Sequence, residues 1–213
     1  MINDTKMKSV LNFVFKNANE GDPKSVLSTI DTFVSETGIF LMNVGPEKGK
    51  LLAETIKDHK PFNALELGSF LGYSAIIIAM LLPEDGYLIS VDHDKDSVAA
   101  SKEIIRYAGL EKKVNFINLK SDEAIQTLAK SFDFIFIDHE KKCYLRDLLL
   151  IEKLNLINKS AIVFADNVGI FEDKMKDYFL HVRNSGSYES KNIGAHLEYR
   201  DNIYDAVEIS KFN

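Results

Sequence analysis

Apolar positions recur at helical spacing over the first sixty residues and then switch to short strand-like bursts separated by further helical stretches. Met7, Val10, Leu11, Phe13 and Val14 mark one helix over about residues 7–17. Gly21 breaks it. Asp22 as a cap and Pro23 at the first helical position start a second helix, striped by Val26, Ile30 and Phe33 and ended by Gly38. An apolar segment over 39–44 follows, and Gly45-Pro46 open a third helix to about residue 59. These helices are expected to form an amino-terminal cap (1–60) on a core (61–213), both within one domain.

Beyond Pro61 the chain alternates. Strands are predicted over 64–67, 87–91, 114–119, 132–137 and 161–165, and helices over 73–82, 96–107, 122–130, 144–154 and 172–183. Such alternation requires right-handed crossovers and a mostly parallel sheet with helices on both faces. Residues 188–193 and 206–211 read as two strands with no helix between them. The expected fold is therefore α/β, a seven-stranded sheet with an antiparallel carboxyl-terminal edge.

The stretch ALELGSFLGYS (64–74) carries the first chemistry. A strand that turns through glycines into a helix brings backbone N–H groups close to a ligand at the strand's carboxyl end. Gly68 and Gly72 are four apart, which excludes the G-x-G-x-x-G of nicotinamide enzymes. The spacing E-x-G-x-x-x-G, with Glu66 as its acid, instead resembles motif I of S-adenosylmethionine-dependent methyltransferases, where the acid pairs with the ligand's ammonium. The bland alternative is an ordinary strand-to-helix turn.

Composition narrows the classes. With 213 residues, 46% hydrophobic, the chain suits one well-buried α/β domain. A net charge of -6 gives no electrostatic footprint for nucleic acid. Cys143 is the single cysteine, so no intrachain disulfide forms and a reducing, cytoplasmic setting is expected. The amino terminus lacks a signal-type apolar run, and no stretch suggests a membrane span.

Polar residues crowd the predicted strand ends, where ligands bind in such sheets. Asp92, 24 residues after Gly68, is placed to take two ribose hydroxyls or to cap a helix. His93 beside it could lie against adenine, and Ser121-Asp122 could meet the adenine edge. Asp138 with Asp166-Asn167 offers two carboxylates and an amide oxygen, a hard donor set suited to Mg²⁺; a capping network is the alternative. A lysine beside a dication sheds its proton more readily, so Lys141 is a candidate general base, or a surface lysine.

Read together, SVLSTIDTF, MNVGPEKGKLL, LELGSFLGYSA, FIDHEKKCYLRDLLL, ADNV and HLEYRD, in that order, make the chain resemble the catechol O-methyltransferases over nearly its full length. The resemblance implies a Rossmann-like methyltransferase fold and Mg²⁺-dependent methyl transfer from S-adenosylmethionine to one hydroxyl of a catechol. It implies Asp138, Asp166 and Asn167 as metal ligands and Lys141 as the base. It assigns Met42, Val44, Glu66, Gly68, Phe70, Ser74, Asp92, His93, Ser121, Asp122, Asp138 and His139 to the methyl donor. Phe40, Met42, Asp138, Glu140, Lys141, Asn167, Phe171 and Glu198 fall to the catechol, and the protein is expected to be a monomer or weak homodimer. The relatives acting on caffeoyl-coenzyme A and a catalytically silent binding protein are the alternatives.

Departures accompany the match. Mammalian members carry tryptophan where this chain has Phe40 and Glu140, proline at Phe171, tyrosine at Phe70 and glutamate at Asp92. Phe40 and Phe171 preserve an apolar wall. Glu140 replaces an indole by a carboxylate, and on charge alone it should favour cationic catecholamines over anionic dihydroxybenzoates.

Overall fold

Both faces of the central sheet are coded by alternate residues of its strands. The computed structural model describes residue 2 and residues 4–213. Three helices come first: α1 (Thr5–Asn17), α2 (Pro23–Thr37) and α3 (Gly45–His59). Then follow β1 (Asn63–Leu67), α4 (Tyr73–Leu81), β2 (Tyr87–Val91), α5 (Lys95–Tyr107), β3 (Val114–Ile117) and α6 (Ser121–Ile125). The rest comprises β4 (Phe132–Ile137), α7 (Tyr144–Lys153), β5 (Ile157–Ala165), α8 (Lys176–Asn184), β6 (Tyr188–Leu197) and β7 (Arg200–Phe212).

The sheet order is β3-β2-β1-β4-β5-β7-β6. The first five strands are parallel, while β7 runs antiparallel to both β5 and β6. Ala64, Phe134, Phe136 and Phe164 pack on one face, in a core shared with α1 to α5. Their neighbours Leu65, Leu67, Ile135, Ile137 and Val163 pack on the other, against α6, α7 and α8. The near-continuous apolar runs of β1 and β4 follow from burial on both sides.

Several boundaries move, each for a local reason. Strand β3 ends at Ile117, and α6 stops at Ile125, where the Thr127 hydroxyl donates back to the Ala124 carbonyl (2.7 Å) and closes a turn. The helix predicted over 172–183 is a 3₁₀ turn, Glu172–Lys174, followed by α8; Met175 between them leaves helical geometry (φ -119°, ψ 15°) and buries its side chain. Strand β5 starts at Ile157, its polar opening disguised by Asn158, Lys159 and Ser160. Strands β6 and β7 extend until only Glu198 and Tyr199 separate them, which puts Glu198 at the tip of a hairpin.

Candidate active site

The glycine loop after β1 is pressed against the end of β4. A Cβ on Gly68 would lie 2.4 Å from the Asp138 carbonyl oxygen, and its φ of 101° also favours glycine. Asp92, at the end of β2, braces this loop: its Oδ2 accepts the Ser69 N–H (3.0 Å) and the Phe70 N–H (3.2 Å). Glu66 is fully buried behind the loop and accepts hydroxyls from Ser74 (2.5 Å) and Ser90. Burial pushes its carboxyl up to about 7, against the two hydroxyl bonds that favour its charged form.

A cavity of about 410 Å³ opens over this loop. Its lining holds Met42, Gly68, Phe70, Ser74, Asp92, His93, Ser121, Asp122, Asp138 and His139. Met42, Asp138, Glu140, Lys141 and Phe171 share an adjoining groove of about 630 Å³. Phe40, Val44 and Glu198 line a third cavity of about 440 Å³ between α3 and the β6–β7 hairpin, and Glu198 joins the site through its Oε1, which accepts from Asn167 Nδ2 (2.7 Å).

Where β4 and β5 end side by side, three predicted ligands converge. The Lys141 ammonium donates to Asp138 Oδ1 (3.0 Å), Asn167 Oδ1 (3.0 Å) and the Tyr144 hydroxyl (2.7 Å). Tyr144 donates onward to the Asp166 carbonyl oxygen (3.1 Å). Asp166 is fully buried; its Oδ1 takes the Asn167 N–H and Lys48, and its Oδ2 has no partner. Burial pushes Asp166 up to about 8, with Lys48 opposing and Asp138 adding to the shift.

A cation thus already sits between Asp138 and Asn167, and an unpaired buried carboxylate oxygen remains beside them. A family model described as O-methyltransferase matches residues 18–177. The chain belongs to the O-methyltransferase family.

Among its relatives, the catechol O-methyltransferase of Mus musculus is 36% identical over 213 residues, covering 98% of this chain and 79% of that protein. Catechol O-methyltransferase B of Danio rerio is 37% identical with the same coverage. The O-methyltransferase TomG of Streptomyces achromogenes, solved with SAM, superposes with a TM-score of 0.78 at 20% identity over all of both chains. The O-methyltransferase of Bacillus cereus, solved with SAH, gives 0.76 at 18% identity, covering 88% of this chain and 90% of that one.

Within this O-methyltransferase the remaining predicted residues have structural partners of their own. His139 stacks on Tyr144 and its Nε2 lies 2.6 Å from Asp147 Oδ2. Asp147 is buried, yet its carboxyl lies below the usual range because its bonds to His139 and Arg146 outweigh burial. Arg146 also reaches Ser121 (3.1 Å) and Asp122 (3.6 Å). His93 is exposed, with Asp92 Oδ1 3.6 Å from its Nδ1. Arg200 places its guanidinium 5.5 Å from the Phe40 ring. Glu140, at the rim of the groove, is exposed and pairs with Lys142 at 2.6 Å, so the rim carboxylate carries its own counter-charge.

Sequence reasoning passed over Lys48, Tyr144, Asp147 and Asp205, all buried at or beside the site. Lys48 had a legible signal: Gly45, Lys48, Gly49, Leu52 and Ile56 form the buried face of α3, so a lysine stands at a core position. Asp205 likewise opens the buried run of β7.

Proposed function

We propose that this chain transfers the methyl group of S-adenosylmethionine to one hydroxyl of a catechol, with Mg²⁺ as its resident ion. The observation that carries the reading is the cation already held between Asp138 and Asn167, beside the unpartnered Asp166 Oδ2. Two carboxylates and an amide oxygen suit a hard divalent ion. The relatives named for catechol methylation supply the substrate class.

Asp138, Asp166 and Asn167 would hold the ion, which supplies Lewis-acid polarisation of a phenol whose pKa starts near ~10. As the neutral amine, having shed its own proton to solvent beside a bound dication, Lys141 would accept the hydroxyl proton at Nζ, held in place by the Tyr144 hydroxyl. Glu198 holds the second hydroxyl. Glu66, buried behind the loop, supplies negative charge beneath the donor's ammonium, while Gly68 lets the backbone pass under it; the roughly 410 Å³ cavity has room for a nucleoside. Aligning nucleophile and methyl group contributes much of the rate, on the order of 7 kcal/mol. The single, free Cys143 supports a reducing, cytoplasmic setting, and a monomer or weak homodimer completes the reading. Among the described residues no helix is long and apolar enough to cross a membrane.

The test is incubation with methyl-labelled S-adenosylmethionine, Mg²⁺ and a panel of catechols. Label should appear in a methoxyphenol, vanish with chelator and return with Mg²⁺. Absence of transfer to every catechol ends the proposal, and full turnover in chelator removes the metal from it.

Two further results are expected. The Glu66 carboxyl ionises near pH 7 in the folded chain, so affinity for S-adenosylhomocysteine should rise roughly tenfold from pH 6 to 8. The same raised pKa means that stability from protonated Glu66 is present below about pH 4.5 and is lost as pH climbs through 7. Titration calorimetry on Glu66→Gln should show S-adenosylhomocysteine affinity losing its roughly tenfold rise between pH 6 and 8; a wild-type affinity that does not change over that range contradicts the assignment. At the rim, Lys142 cancels the preference expected from Glu140 alone. Glu140→Gln, which leaves Lys142 unopposed, and Lys142→Ala, which leaves Glu140 unopposed, should move the ratio of kcat/KM for dopamine and 3,4-dihydroxybenzoate several-fold in opposite directions at low salt, the first towards the benzoate and the second towards dopamine. Shifts of the same sign in both variants, or none in either, would show that the two charges do not cancel at the rim.

A further inference from the structure

Behind the proposed metal site a single buried ammonium gathers three carboxylates. Lys48 Nζ lies 2.7 Å from Asp166 Oδ1, 2.6 Å from Glu198 Oε1 and 2.7 Å from Asp205 Oδ2, with every side chain fully buried. An ammonium has three protons, so these contacts use all its donors. Burial alone would favour the neutral amine, but the three carboxylates outweigh it and hold Lys48 charged.

What the three acids do with their second oxygens separates them. Asp205 is saturated: its Oδ2 also accepts from Asn167 Nδ2, and its Oδ1 accepts the Gly169 and Ile170 N–H groups. Asp166 Oδ2 and Glu198 Oε2 are buried and accept nothing. An unpaired buried carboxylate oxygen is costly unless a ligand completes it. The saturated acid is an anchor, and the two half-paired acids are those that the proposed function assigns to Mg²⁺ and to the catechol.

We propose that Lys48 is the positioning residue of this site: it engages one oxygen of Asp166 and one of Glu198, and thereby aims the other oxygen of each at a ligand. The inference rests on the catechol reading above. Its placement is rigid, because Gly49 beside it lets α3 lie against α4; a Cβ there would stand 3.0 Å from Ile77. Lys48 also fills a cage whose ligand atoms all lie within 4.8 Å of one another. Three carboxylates that close would otherwise attract a divalent ion themselves. With the lysine in the cage, the ion is directed to the face shared by Asp138, Asp166 and Asn167.

Lys48→Met keeps the stem and removes the charge, and three ligands are titrated calorimetrically: S-adenosylhomocysteine, then Mg²⁺, then 3,4-dihydroxybenzoate in the presence of both. The signs differ by ligand. S-adenosylhomocysteine affinity should stay within about twofold, and Mg²⁺ should bind at least as tightly because a fixed positive charge has gone. The catechol should bind roughly tenfold or more weakly, since Glu198 is no longer aimed. Catechol affinity within about twofold of wild type, or loss of all three together, overturns the proposal, the second result marking a merely structural ion pair. If Lys48→Met does not fold, Lys48→Arg decides. Its planar fork cannot place three N–H groups around one point, so catechol binding should weaken with S-adenosylhomocysteine binding intact, and unchanged catechol binding overturns the proposal. Failure of the wild type to bind the catechol would instead sink the catechol reading itself.

Discussion

Lys141→Ala should lower kcat by roughly 10²-fold or more while leaving S-adenosylhomocysteine affinity nearly unchanged. The lysine ammonium touches Asp138, Asn167 and Tyr144 at 2.7–3.0 Å, yet it does not line the cavity over the glycine loop. Its loss therefore removes the proton acceptor without disturbing the donor's seat. A second reading comes from the metal. Lys141 stands between two of the proposed Mg²⁺ ligands, so removing it relieves a competing charge, and Mg²⁺ affinity should hold or rise. Single-turnover kinetics with a Mg²⁺ titration checks both. A wild-type kcat would make Lys141 a bystander, and weakened Mg²⁺ binding would show that it supports the ligands rather than competing with the ion.

Gly68→Ala should be strongly damaging to both stability and activity. Its Cβ would stand 2.4 Å from the Asp138 carbonyl oxygen and 2.8 Å from its carbonyl carbon. Neither atom belongs to a flexible side-chain end, so the backbone of β1 or β4 must move. A positive φ at alanine adds strain, and the two costs together amount to roughly 2–6 kcal/mol. At about 2–4 °C per kcal/mol for a chain of this size, Tm should fall by roughly 5–20 °C. The displaced segment carries Asp138, so methyl transfer should be lost even at temperatures where the variant is folded. A thermal melt within 2 °C of wild type, with normal kcat, would mean that the loop has slack this packing does not suggest.

The architecture was legible because burial on both faces leaves continuous apolar strands, and because each parallel strand ends at polar residues. Asp92, Asp138 and Asp166 were found that way. The boundaries of α6 and β5 were not, since Thr127 and the Asn158-Lys159-Ser160 run obey local hydrogen bonding and pairing that periodicity does not encode. Asp92 also illustrates a limit of position alone. Its place after β2 points to a ligand, whereas its Oδ2 is occupied by two loop amides. Lys48 was readable as a charge on an apolar helical face, but its three partners are 118 to 157 residues away in sequence, and only the folded sheet brings them together.

That separation has a consequence for how the protein is made. Lys48 leaves the ribosome 150 residues before Glu198 and 157 before Asp205. At about 5–20 residues per second the lysine waits roughly 8–30 s for its last partner. Through that interval the nascent chain holds an ammonium destined for the interior with its charge uncompensated, so α3 has reason to remain solvated rather than dock early. The final hairpin, synthesised last, brings two of the three carboxylates that this one ammonium needs.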